Sequence, residues 1–326
     1  MPLHMHFGSE DLLRIRFAVS PLCETHEAVR TLRRADRHGY HTPWLRRVRA
    51  TLAGLDLTPL WLFMPSPGYT PDFLGRPPDS PLAGFDEELA RLRATDPELA
   101  RAEMAKSLAC TPGALESERG RAALDDPAGA IRELAEVTER AWRALLAPDW
   151  PRLRALLEAE IAYRSRQLAG GGLQRLFADL HPLVSWAEGT LTVRPRIDFV
   201  QVQQLDGRGV LLLPSVFVWP DVVSAFDPPW QPTVIYPARG IGGLWSRPEA
   251  GPALTRLLGA NRATVLAALD APSTTTALAH RLGLAPSSVS AHLSVLRDAG
   301  LLSARRQGHH VLYERTPLGI ALAAGD

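Results

Sequence analysis

Side chains able to do chemistry are thinly spread over this chain, and one stretch gathers them on a regular frame. Between positions 286 and 298, Ser287, Ser288, Ser290 and His292 set hydroxyls and an imidazole among Val289, Leu293 and Leu296. The three apolar residues fall three and four apart and share one helix face, which leaves the polar four to the rest of the surface. These groups donate and accept hydrogen bonds, and nothing in the local sequence turns one of them into a nucleophile. Elsewhere there is no Gly-x-Ser-x-Gly elbow and no His-Glu-x-x-His frame, so no catalytic residue is expected. His4 and His6 stand in His-x-His form and read as exposed terminal residues; His26, His38 and His41 share one helical neighbourhood without a metal-binding spacing. Cys23 and Cys110 lie far apart and outside any Cys-x-x-Cys frame, so both read as buried thiols, and neither a disulfide framework nor a metal site is expected. No cofactor is implied.

The elements that must hold the serines and the histidine follow from the flanking residues. Leu278 and Leu282 mark a first short helix, and Gly283 lies where that helix must stop and the chain must turn. Pro286 suits the first turn of the next helix, where its missing N–H has no intrahelical partner to lose. Gly300 ends that helix. Upstream, Val265, Leu266 and Leu269 predict a supporting helix over residues 261–270. Downstream, residues 301–306 and 309–315 form two strand-like runs around Gln307-Gly308, with Val311 and Tyr313 on one face and Leu312 on the other. The order is helix, helix, polar-faced helix, hairpin, and it reads as a DNA-binding helix-turn-helix with a wing.

Taken together, the Leu278-Ala279 pair, the Leu282-Gly283-Leu284 turn, Val289-Ser290 with His292-Leu293, and residues 296–301 resemble the ArsR-type winged helix-turn-helix of bacterial repressors, over residues 254–316. The resemblance implies that double-stranded DNA is the partner, with Ser287, Ser288, Ser290 and His292 facing major-groove base edges and nearby phosphates. It also implies that Arg305, Arg306, His309 and His310 flank the groove from the wing. Arg297 either reaches a backbone phosphate or sits on a solvated face paired with Asp298 or Glu314. A homodimer is implied as well, with residues 254–258 and 318–322 as candidate contact helices. One departure matters: residues 274–281 contain no cysteine, whereas many ArsR-type metal sensors carry a Cys-x-Cys there, so soft-metal sensing is not carried over. A small organic effector is the better reading. Trp44, Trp61, Phe63, Tyr69, Trp142 and Trp186 are among the aromatic residues numerous enough to line a pocket, although such residues more often serve as core.

Length and charge bound the remainder. At 326 residues, 46% of them hydrophobic, the chain has room for two domains, divided here as residues 1–250 and 251–326. The expected class is α+β: a mostly helical N-terminal domain with a small antiparallel sheet, followed by the winged helix-turn-helix. The net charge of +1 hides an asymmetry, because residues 251–326 carry seven arginines against four carboxylates. No run of about 20 apolar residues is present and the first residues lack a signal-peptide pattern, so no membrane association and a cytoplasmic location are expected. Residues 13–19 alternate like a strand, Ser20-Pro21 opens a helix reaching about Arg34, residues 40–55 suit another helix, and residues 60–64 read as a buried strand or extended segment. Between 86 and 177 three apolar stripes mark helices, broken at Asp125-Asp126-Pro127 and at residues 148–151, with a flexible joint at Gly170-Gly171-Gly172. Glu188-Gly189 and Asp206-Gly207 are hairpin signals between short strands. With Ser20-Pro21-Leu22, residues 186–191 and residues 235–240, this part is similar to the long N-terminal domain joined to some ArsR-like regulators of GC-rich bacteria, a likeness that names no ligand. Two other classes stay open on sequence alone: a protein-interaction scaffold, and a metabolic enzyme carrying a degenerate winged helix.

Overall fold

The computed structural model describes residues 2–34, 39–194, 201–226, 228, 230–245, 252–269, 272–307 and 310–324. They form two compact units: Met1–Arg33 with Ala50–Pro237, and Arg34–Arg49 with Ala238–Asp326. The fold is α+β. Nothing in the sequence announces that residues 34–49 join the C-terminal unit.

Helices dominate the first unit, and their boundaries follow local capping chemistry. Asp96 accepts the N–H groups of Glu98 and Leu99 at 2.9 and 3.0 Å ahead of Pro97–Leu108, and Asp126 accepts that of Gly129 at 2.9 Å ahead of Pro127–Ala141. Each cap is followed by a proline at the first helical position, so one orphan N–H is satisfied and another removed. The expected stripes are core faces: Leu89, Leu92, Ile131, Leu134, Leu153 and Leu157 are all buried. The long helix Trp150–Ala178 is kinked where the glycine triplet lies, with non-helical backbone at Gly171 and Gly172.

Two four-stranded sheets complete this unit, and both mix parallel with antiparallel pairing, where a single small antiparallel sheet was expected. In the first, Val184–Ala187 and Thr190–Val193 make the hairpin that Glu188-Gly189 predicts, both turn residues having positive φ (50° and 74°). Leu3–His6 then pairs antiparallel with Thr190–Val193 and parallel with Gln201–Gln204. The second sheet runs Arg16–Phe17, Leu211–Ser215, Thr233–Pro237, Val223–Ala225, its first three strands parallel.

The hairpin expected around Asp206-Gly207 does not form. Asp206 and Gly207 do take the positive φ values of such a turn (50° and 74°), but Gly209 follows at φ 65° and its N–H donates to Asp11 at 3.0 Å. That bond sends the chain into the other sheet. Leu211–Ser215 is buried at every position, so its unbroken apolar run is the signature of a strand covered on both faces and not of a half-exposed hairpin arm. Two smaller expectations also give way. Residues 60–64 are not a strand: Asp56 accepts the N–H of Thr58 at 2.9 Å and Pro59 starts the short helix Thr58–Leu62, with Phe63 and Met64 buried after it. Cys23 is buried as expected, but Cys110 is exposed, its sulfur accepting the N–H of Tyr69 at 3.3 Å.

Four carboxylates accept backbone N–H groups, most of them buried and from distant segments of the chain. Glu24 accepts the N–H of Val216 at 3.0 Å, Glu88 that of Leu22 at 2.9 Å, Glu103 that of Phe73 at 2.8 Å, and Asp11 those of Gly8 and Gly209. Burial raises the carboxyl of Glu24 to about 8 and that of Glu88 to about 7, against the hydrogen bonds that favour ionisation. The same burial lowers the imidazole of His26, bonded to Thr138 at 3.0 Å, to about 3.

Two measurements test this arrangement. A Cβ at Gly209 would lie 2.3 Å from the carbonyl oxygen of Arg14 at a left-handed φ, whereas one at Gly84 would meet nothing within 4 Å. Gly209→Ala should therefore cost about 1–3 kcal/mol in chemical denaturation while Gly84→Ala stays near neutral. Because the folded pKa of Glu24 is raised, its contribution to stability is fully present below the unfolded value near 4.5 and is lost as pH rises towards 8. The stability of Glu24→Gln relative to the parent should accordingly grow from pH 5 to pH 8; a constant difference across that range would refute the assignment.

Candidate nucleic-acid interface

In the second unit, Ala260–Ala268, Thr275–Leu282 and Pro286–Asp298 are the three helices expected at positions 261–270, 275–282 and 286–298. Thr274 caps the middle one by accepting the N–H of Ala277 at 3.2 Å. Gly283 ends it in the left-handed conformation, φ 64°, and the N–H of Leu284 donates to Ala279 at 3.0 Å, reversing the chain within three residues. Pro286 then opens the polar-faced helix. At its far end Gly300, φ 72°, lets the N–H of Leu301 reach the carbonyl of Leu296 at 2.9 Å. Val265, Leu266, Leu278, Val289, Leu293 and Leu296 close one core between the three helices.

The wing is built as expected and gains a third strand. Leu302–Gln307 pairs antiparallel with His310–Arg315, and Ser273–Thr274 adds to the outer edge of the latter. Leu302 and Tyr313 turn one face towards the core. Arg315 belongs to that face too: it is buried, and its Nε donates to the carbonyl of Leu269 at 2.7 Å. A residue that adds to the basic count by sequence is thus a strut between wing and supporting helix.

The predicted contact residues fall as follows. Ser287, Ser288 and Ser290 are exposed on the first turns of Pro286–Asp298, and His292 is half-buried. Ala291 is exposed and Val295 is 48% exposed. At positions i+4 and i+8 from Ser287 these two lie on the same outward stripe, so a methyl and an isopropyl group sit beside the hydroxyls. Polarity alone does not single them out; the helical spacing opposite Val289, Leu293 and Leu296 is the signal that finds them. Arg297 is exposed, and its guanidinium donates to Asp298 at 2.9 and 3.1 Å and to Ser294 at 3.2 Å; the Asp298 hydrogen bond holds it above the ordinary arginine value. Of its two sequence alternatives, this is the geometry of the Asp298 pair.

Arg305 and Arg306 are adjacent on one strand and so point to opposite faces of the wing. Arg305 is half-buried opposite Leu312, and Arg306 is exposed opposite Val311. His309 lies outside the described residues, and of His310 only the strand backbone is described. The surface therefore offers hydroxyl, imidazole and small apolar groups on a helix narrow enough for a major groove, with guanidinium groups on the adjoining hairpin. Among the described residues, no group of three or more His, Cys, Asp or Glu could hold a metal ion, and no helix is long and apolar enough to cross a membrane.

Residues 258–303 match the model of a helix-turn-helix domain, and residues 86–242 match that of a family of unknown function, DUF5937. No curated protein and no solved structure matches the chain. The C-terminal unit thus carries a helix-turn-helix domain, the module by which DNA-binding transcriptional regulators engage the duplex.

The turn itself can be tested. A Cβ at Gly283 would meet nothing within 4 Å, so only its φ demands glycine. Gly283→Ala should cost about 1 kcal/mol of stability and Gly283→Asn clearly less, read by thermal unfolding.

Proposed function

We propose that this chain is a sequence-specific, ArsR-type transcriptional regulator that acts as a homodimeric repressor and is controlled by a small organic effector or partner bound to its N-terminal unit. The observation that carries the reading is the outward stripe of Pro286–Asp298, whose Ser287, Ser288 and Ser290 are solvent-facing while Val289, Leu293 and Leu296 are locked in the core. A helix fixed on one side presents the hydroxyls of its outer side, with the methyl groups beside them, to base edges at low entropic cost.

In this mechanism the stripe reads bases and the wing arginines hold phosphates. Dimerisation supplies the affinity that one lightly charged head lacks. It is supported by the apolar side chains of Leu257 and Leu318, 67% and 60% exposed on the helices Pro252–Leu258 and Pro317–Ala324. Two heads then engage half-sites about one helical turn, roughly 34 Å, apart. An effector that alters the spacing of the heads by a few ångströms breaks simultaneous contact and releases the operator.

Fluorescence anisotropy on duplexes selected from a random pool tests the division of labour. Arg306→Ala should weaken selected and random duplexes alike and flatten the salt dependence, since phosphates carry no sequence. Ser290→Ala and His292→Ala should lower affinity for the selected duplex alone, by about 1 kcal/mol or more each. Equal losses on both kinds of duplex for all three variants would falsify the base-reading role, and absence of any duplex binding by the parent chain would remove the function.

A further inference from the structure

The rotation of Pro286–Asp298 about its own axis is set by the burial of Val289, Leu293 and Leu296, so the residues furthest from the core can be named. At about 100° per residue, the line opposite those three runs along Ser287, Ala291 and Asp298. All three are exposed. Ser294 and Val295 stand to either side of this crest, the first half-buried and the second exposed.

The crest changes character along its length. At its start the exposed hydroxyls of Ser287, Ser288 and Ser290 surround it. At its end lies the carboxylate of Asp298, which accepts from Arg297 at 2.9 Å. A carboxylate pressed towards a duplex meets phosphates of like charge, so the first two turns are the part suited to enter a groove. Ala291, on the second turn, is the crest residue of that part.

The chemistry of this position is narrow. Ala291 is flanked by hydroxyls but carries neither donor nor acceptor in its own side chain. A polar base edge placed beneath it would give up water and gain no partner. In the major groove the apolar group that a base pair displays is the C5-methyl of thymine. The alanine methyl also has no rotamer freedom to lose on contact, and its small size lets the helix backbone come close to the groove floor.

We infer that Ala291 is a specificity-determining residue whose methyl group packs on the C5-methyl of a thymine in each half-site. The inference rests on the base-reading role proposed for this helix and adds to it the base that one position selects. Methyl-to-methyl contact removes little surface from water, so its effect is confined to one base pair and amounts to about four-fold in affinity, the equivalent of about 0.8 kcal/mol for one buried carbon.

The test uses the full chain and a duplex selected from a random pool, with each thymine replaced in turn by deoxyuridine. That replacement removes the C5-methyl and leaves base pairing and every hydrogen-bonding edge in place. Measured by anisotropy, the parent chain should lose about four-fold in affinity at one thymine of each half-site. Ala291→Gly should bind the unmodified duplex more weakly by a similar factor and should be indifferent to deoxyuridine at that thymine. Glycine also loosens a helix, but that loss falls equally on both duplexes, so the coupling between the two changes is the readout. Val295→Ala should keep the parent's response to deoxyuridine. The inference is overturned if no thymine responds in the parent, if the response survives in Ala291→Gly, or if it disappears in Val295→Ala. In each of those cases the base-reading role of the helix still stands, provided that Ser290→Ala weakens the selected duplex alone. If the parent does not distinguish selected from random duplexes, that role and this inference fall together.

Discussion

A thirteen-residue helix such as Pro286–Asp298 has no stable existence alone in water, because nucleation costs more than so few hydrogen bonds return. It stands because Val289, Leu293 and Leu296 are buried against Val265, Leu266 and Leu278. That single packing constraint organises the unit. It fixes the rotation of the helix about its own axis, and therefore which residues face outward. It also demands two abrupt chain reversals, met by left-handed glycines at 283 and 300, and a sheet to close the open side, met by Leu302 and Tyr313 of the wing. Since the buried residues hold the helix, the outward stripe is free of structural duty, and its composition can be set by what it meets.

The same constraint makes the C-terminal unit legible in the sequence. Apolar spacing, two glycines and a proline are local signals, and each maps onto one physical need: a face to bury, a φ to adopt, an N–H to omit. Local signals stop short at groups whose partners lie far away in sequence. Arg315 looks like any wing arginine until Leu269 is seen to accept its Nε–H at 2.7 Å. Asp206-Gly207 has the correct turn chemistry, but whether the following strand folds back is decided by Asp11, about two hundred residues earlier, through its bond to Gly209. The helices of the first unit follow their stripes, whereas its parallel strand pairings depend on long-range partners that no window of sequence contains.

The discontinuity of the second unit has the same origin. Residues 40–55 suit a helix by sequence, but the choice of Trp245 and the last helix as packing partners for the segment around Gly39 and Trp44 is a tertiary event. Ring stacking and the His41–Trp245 hydrogen bond tie the segment in. The basic count of the DNA-binding part is correspondingly underestimated when the chain is cut at residue 250, at seven arginines against four carboxylates, compared with fourteen against six for the compact unit.

That uneven distribution has a consequence for how a chain of nearly zero net charge can approach a polyanion at all. Averaged over the molecule, a charge of +1 offers no steering. Partitioned as +8 and −7 between the units, it makes one unit attract the duplex and the other repel it, which selects among encounters before any specific contact forms. At physiological ionic strength the screening length is about 8 Å, so repulsion from the acidic unit acts only where that unit comes close to the phosphates. Productive binding therefore requires the basic unit to lead. A change in the charge of the acidic unit near the duplex would act on affinity through this field alone.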